Sequence, residues 1–298
     1  MTIRTIAAFL ILGIIWGSNF IFMKWAADWI TPLQVVLLRV IFGFLPIALY
    51  AVFTQSLSFS HAKHVGHFFV MSILATSLYY FGFAKGSALL LSSVAGVLSG
   101  AIPIISFLTA MIFLREEKAT GTQWLGILIG LAGVVLIASP SSDAVDQNTL
   151  LGTGYMLLGV VSVGASFVYA KRFLGPLNIP GSAAVTYQLA LSTIGLLLIT
   201  DLTGIEDIAK DTRALTGMII GLGLLGTGVA FLLYYYLIKQ VGALKASSAT
   251  YIPPVVALFI GVFWVNESLE LMDYFAAILV FIGMVLVNKR KNIKAVLK

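Results

Sequence analysis

Within the long apolar stretches that make up most of this chain, few residues can form hydrogen bonds, and their types restrict the chemistry open to it. Arg39 is the one cation set well inside such a stretch, where a charge at a bilayer centre costs at least about 2.5 kcal/mol on insertion scales. It needs a partner, water or a way out. About seven residues from Pro32, at a rise of about 1.5 Å each, place it about 10 Å into its helix, near enough to snorkel or to bond loop carbonyls. Contact with a substrate carboxylate is the other reading. The remaining candidates are neutral: Ser18, Asn19, Tyr80, Ser99, Ser166, Tyr169, Gln188, Tyr234, Ser248 and Tyr251. Each either lines a substrate cavity or bonds a neighbouring helix or its own backbone, and Asn19 and Ser99 are the stronger cavity candidates. No Asp, Glu or His lies inside an apolar run. A nucleophile with its base, or an acid pair, is therefore missing, which points to recognition and passage of a solute rather than catalysis. The same lack leaves no intramembrane proton relay, so the expected mode is facilitated export or exchange. His61, His64 and His67 fall in a polar stretch without a nearby carboxylate or thiol and read as a hydrated loop; no metal and no cofactor is expected.

These residues sit on membrane helices. Of 298 residues 60% are hydrophobic and 10% charged, with a mean hydropathy of +1.03, against roughly 25% charged in soluble domains. The runs lack the period-2 alternation of barrel strands, so the chain reads as an all-α integral membrane protein. Allowing about 20 apolar residues per crossing gives ten transmembrane helices, near 5–23, 32–53, 67–84, 93–114, 122–138, 150–170, 182–200, 214–238, 246–265 and 271–287. The first is read as retained, since its apolar run exceeds a signal-peptide core and has no convincing cleavage site. The net charge of +6 is spread between apolar runs and along the C-terminal tail, which makes it a topology signal rather than a nucleic-acid surface. Most Lys and Arg face the cytoplasm when both termini are placed there. There is no cysteine.

The chain repeats itself. The segment 92–117, SSVAGVLSGAIPIISFLTAMIFLREE, matches 242–267 at a shift of 150, setting Pro103 on Pro253 and Glu117 on Glu267. GSNFIFMK at 17–24 similarly matches GASFVYAK at 164–171. Five helices per half is odd, so the halves enter the membrane oppositely: a five-plus-five inverted repeat. Residues 1–140 form one half, 150–298 the other with its basic tail, and 141–149 a polar outer linker. A mid-helix proline removes a hydrogen bond and kinks the helix, which makes Pro103 and Pro253 candidate gates around a midplane site. They are expected at similar depth on opposite sides of a central cavity, with Glu117 and Glu267 at opposite faces, tying loops or capping helices. Gly126, Gly130 and Gly133 give the fifth helix a close-packing face that serves either within one chain or in a homodimer.

WGSNF at 16–20, Arg39, the Pro103 and Pro253 helices leading to Glu117 and Glu267, and Gly133 and Gly283 in the fifth and tenth helices together resemble the drug/metabolite transporter superfamily. The chain resembles its ten-helix EamA-type exporters, and within them is most similar to the YddG group of amino-acid exporters. The resemblance implies an inner-membrane exporter of small metabolites, with helices 1, 3, 4, 6, 8 and 9 around the cavity. Alternating access by a secondary transporter is the expected mechanism and amino acids the expected solutes. Drugs, organic cations and sugar-linked metabolites are the alternatives, and a channel or an intramembrane enzyme the less favoured classes. The partners expected are a small-molecule substrate and the lipid bilayer, without nucleic acid.

Overall fold

In a computed structural model the protein is described over residues 2–114, 120–138, 147–241 and 246–288. All regular structure among these residues is helical, as lipid demands of backbone groups that water cannot reach. The apolar segments in order are α1 (Ile3–Ala27), α2 (Pro32–Phe53), α3 (Phe59–Leu89), α4 (Ser92–Phe113), α5 (Gly121–Ala138), α6 (Gln147–Leu177), α7 (Gly181–Ile199), α8 (Thr212–Val241), α9 (Ser248–Trp264) and α10 (Leu271–Val287). The first eight are long and apolar enough to cross a membrane, and α9 and α10 are shorter apolar helices. Two segments outrun the sequence expectation. A 3-10 turn at Phe59–His64 starts α3 early and takes in the histidines, while a π turn at Ala170–Leu174 and a 3-10 turn at Gly175–Leu177 prolong α6. Polar residues hid both extensions from an apolar count. Glu117, most of the linker and the basic tail from 289 lie outside the described residues.

Helix starts are set locally. Thr31 and Gln34 form a reciprocal capping box, with Pro32 in the first turn of α2, where its missing N–H is not needed. Gln34 also donates to the carbonyls of Asp201 and Thr203, at 2.8 and 3.0 Å, fixing α2 to the α7–α8 loop. Thr120 and Gln123 repeat the box at α5, and Gln123 donates to the Val287 carbonyl at the end of α10.

Glycines let the helices close on one another. A Cβ on Gly126 would strike Leu286 and Val287, one on Gly130 would strike Ile104 and approach Gly283, and one on Gly133 would strike Ala276 and Val280. The register runs backwards, so α5 and α10 are antiparallel. The sequence left the glycine face of α5 open between an internal and a dimer role; α10 covers it within the chain. The α4–α9 contact is also antiparallel, bringing Ser93 to Gly261, Gly96 to Ala257 and Gly100 to Pro254. By the same reading α3 and α6 are antiparallel, Gly82 meeting Gly159 and Gly86 meeting Gly152, while α1 and α9 are parallel, Gly13 meeting Ile252 and Gly17 meeting Val256. These directions fit a chain that reverses at every loop.

Pro103 and Pro253 do not sit in the middle of continuous helices. Gly100 and Ala101 form a turn, and Pro103 is in the first turn of a helix that restarts at Ile102. A 3-10 turn at Ser247–Tyr251 likewise precedes the helix restarting at Ile252, with Pro253 in its first turn. Proline is tolerated there because first-turn N–H groups have no intrahelical partner. Continuing the α4–α9 register sets residue 103 opposite about residue 251, so the two breaks lie at nearly one level.

Gly283→Ala would drive a Cβ into the backbone of Gly130 and should destabilise the purified protein by about 1–3 kcal/mol. Gly195→Ala, in α7 with open space around it, should be neutral or stabilise by up to about 1 kcal/mol. Denaturant unfolding of both variants in micelles measures the contrast.

Candidate functional site

Where α1, α2, α3 and α8 converge, the structure gathers Asn19, Arg39, Tyr80 and Thr227 into one buried polar cluster. Arg39 is 2% exposed. Its Nε donates to Thr227 Oγ1 at 3.2 Å, Nη1 lies 3.7 Å from Met23 Sδ, and its guanidinium stacks 3.8 Å from the Tyr80 ring centre. With the Asn19 amide in the orientation that satisfies both its ends, Oδ1 accepts from Arg39 Nη2 at 3.1 Å and the amide nitrogen donates to the Ile15 carbonyl at 3.1 Å. The sequence expectation that Arg39 snorkels or bonds loop carbonyls is therefore corrected. It points inward to side chains of α1 and α8, because Gly43 and Gly226 leave room there. A Cβ on Gly43 would strike Thr227, and one on Gly226 would strike the Asn19 amide.

Thr227 was not foreseen, since it lies in a glycine-rich run that reads as packing. Its helix is wound as a π helix over Gly217–Val229, and its hydroxyl donates five residues back to the Leu222 carbonyl at 3.1 Å while accepting from Arg39. Such widened turns recur at functional sites. No carboxylate is among the partners of Arg39 in the described residues, so dipoles and the Tyr80 face, rather than an ion pair, hold its charge.

A second, neutral cluster answers the first. Gln188 of α7, 4% exposed, donates through Nε2 to Thr76 Oγ1 of α3 at 2.7 Å, and Thr76 again lies in a π turn, Ile73–Ser77. Arg39 and Gln188, and Thr227 and Thr76, are separated by nearly the same offset as the two proline segments. Ser77 and Ser192 share a hydrogen bond at 2.7 Å, and Ser162 donates to the Leu74 carbonyl at 2.7 Å, tying α3 to α7 and α6.

The other sequence candidates are dispersed. Ser18, Ser99 and Ser166 each donate to a carbonyl of their own helix, those of Ile15, Gly96 and Val163. Tyr169 bonds His67 Nδ1 at 2.8 Å and packs on Phe173, near the end of α6. Tyr234 packs on Trp16, with ring centres 5.8 Å apart, and Ser248 and Tyr251 are half-buried in the first turns of α9. A cleft of about 360 Å³ opens between α1 and α8, walled by Phe22, Trp25, Ile220 and Leu225 with Arg213 in its lining; none of the foreseen residues lines it.

Glu267, expected to tie a loop or cap a helix, caps the first turn of α4. Its Oε1 accepts from the backbone and hydroxyl of Ser92, each at 2.8 Å, and its Oε2 from those of Ser93, at 3.0 and 2.5 Å. Partial burial pushes this carboxyl up, but the Ser93 donors, then those of Ser92, outweigh it and leave it below the ordinary value. The contribution of the clamp to stability is thus full above the ordinary carboxylate pKa and is lost as pH falls through the depressed one.

A bundle of apolar helices long enough to cross a bilayer, packed around buried polar clusters, defines a multi-pass membrane protein. The model of the EamA-like transporter family matches twice, at residues 3–139 and 150–289, and the chain belongs to that family, within the drug/metabolite transporter superfamily. The chain is 28% identical to the uncharacterized transporter YdfC of Bacillus subtilis, over 92% of this chain and 87% of that one. It is 27% identical to the uncharacterized transporter YoaV of the same organism, over 95% and 96%. A solved crystal structure covering 94% of this chain and 96% of its own superposes with a TM-score of 0.60 at 17% identity, which shows a shared fold.

In an unfolding double-mutant cycle, Arg39→Met and Thr227→Val should couple by about 0.6–2 kcal/mol. Additive effects would mean that the bond between them contributes nothing.

Proposed function

We propose that the protein is a secondary transporter that exports small zwitterionic solutes, amino acids first among them, from the cytoplasm by alternating access. The observation that carries this reading is the Arg39–Asn19–Tyr80 cluster. It holds a guanidinium suited to a carboxylate, beside an aromatic ring suited to an ammonium group or an apolar side chain. The neutral Gln188–Thr76 pair in the other half would receive the solute's polar end without a second charge.

Ten crossings in two inverted halves, 1–140 and 150–298, are the architecture this mechanism needs. The antiparallel directions of α4 with α9 and of α5 with α10 support it, because equivalent helices of inverted halves must run oppositely. On this reading Pro103 and Pro253, at the level where the two helices restart, serve as the gating breaks. The distribution of Lys and Arg supports an inner-membrane protein with both termini cytoplasmic. With no carboxylate in the Arg39 cluster among the described residues, we assign downhill export or exchange rather than proton-driven pumping.

Counterflow in proteoliposomes tests the reading. An unlabelled amino acid inside should drive transient accumulation of the labelled one, with or without a pH gradient. Arg39→Gln should reduce that flux about tenfold, or ~1.4 kcal/mol. Silence toward every amino acid, with counterflow of sugars or organic cations, would replace the substrate class; strict dependence on the pH gradient would overturn the uncoupled mechanism.

A further inference from the structure

The first turn of α4 has no cap of its own. Leu91 occupies the position from which a side chain would accept from those N–H groups, and it provides no bond. The acceptor instead comes from Glu267, 175 residues along the chain from Ser92. Its carboxylate takes both backbone and both hydroxyl donors of Ser92 and Ser93, at the helix end where the dipole favours negative charge. The local chain is shaped for this. Asn266 turns it with φ of 56°, Glu267 N donates to the Gly261 carbonyl at 2.8 Å, and Gly261 lacks the Cβ that would fall on Glu267 Oε2 and Ser93.

The clamp lies at one end of the α4–α9 contact. Deeper in, the facing residues are Gly96 with Ala257 and Gly100 with Pro254, apolar surfaces with no polar tie between them in these contacts. Beside it, Lys24 Nζ of α1 donates at 2.6 Å to the carbonyl of Leu90, closing the last turn of α3. The polar ties between α1, the α3–α4 corner and the α9–α10 loop thus gather at one mouth of the bundle.

We infer that Glu267 on the first turn of α4 is a latch that holds this mouth closed and must release before α4 and α9 can part there. The inference rests on the alternating-access reading and adds the bond that governs one of its two states. Release is chemically reasonable because both sides of the bond lie where water enters as the mouth opens: the freed N–H groups and carboxylate exchange one another for water.

The native chain has no cysteine, so Ser99→Cys gives a single thiol about 9 Å further along α4 than Ser93. Its labelling by a membrane-impermeant maleimide, in right-side-out and inside-out vesicles, reads the mouth directly. Adding Glu267→Ala should speed labelling several-fold from one side only, the side that bears Glu267, and Glu267→Gln should give a smaller increase. Ser92→Ala with Ser93→Ala, which keeps the backbone donors, should act in the same direction and serves if the Glu267 variants fail to fold. Labelling unchanged from both sides, or raised equally from both, would overturn the latch. The readout needs no substrate, so it stands apart from the counterflow result: the latch can fail while transport is demonstrated, or hold while the substrate class is revised.

Discussion

A guanidinium buried in a bundle of apolar helices has to find its solvation within the protein. Arg39 does so with an amide, a hydroxyl, a thioether and an aromatic face, contributed by α1, α3 and α8. That requirement reaches into the packing. Gly43 and Gly226 exist where any side chain would displace Thr227 or Asn19, and Gly223 and Gly228 admit Phe42 and Pro46 of α2 in the same way. The π winding of α8 then turns Thr227 so that one hydroxyl serves both Leu222 and Arg39. Removing the charge would relax the reason for several of these features together, whereas losing a single glycine would break the geometry while leaving the charge in place.

The two halves use one plan with different electrostatics. Arg39 with Thr227 and Gln188 with Thr76 are the same interhelical bond made twice, once charged and once neutral. Under the proposed alternating access, in which the halves exchange roles, this equivalence in geometry lets each half adopt the other's packing. On the proposed function the bundle gains from the difference in charge too, because a zwitterion has only one carboxylate to place. The Glu267 clamp adds a second asymmetry at one mouth, where a carboxylate from one half completes a helix of the other.

Much of the fold was legible because lipid narrows the choices: apolar runs of sufficient length have to be helices, and the duplicated proline segments fall one in each of the two stretches that the family model matches. The ends of α3 and α6 were less legible, since 3-10 and π turns there carry histidine, lysine and arginine that an apolar count excludes. At the site, Asn19, Arg39 and Tyr80 were named from their types, but the direction of Arg39 was misjudged. Distance along a helix says how far a side chain is from the surface and nothing about the space that neighbouring glycines leave inside. Thr227 escaped for the same reason, although its offset from Thr76 was a signal that could have found it. Ser18, Ser99 and Ser166 show the converse: a hydroxyl in a membrane helix readily bonds its own backbone, and its residue type alone does not make it a ligand.

The proposed mechanism depends on two halves of opposite orientation around the Arg39 and Gln188 clusters. Side-specific labelling of single cysteines tests it most directly, placed at Asp28 after α1 and at Gly175 near the end of α6, both exposed positions that correspond in the two halves. An impermeant thiol reagent should reach them from opposite sides of the membrane. Reaction of both from the same side would show the halves to be parallel and contradict that mechanism.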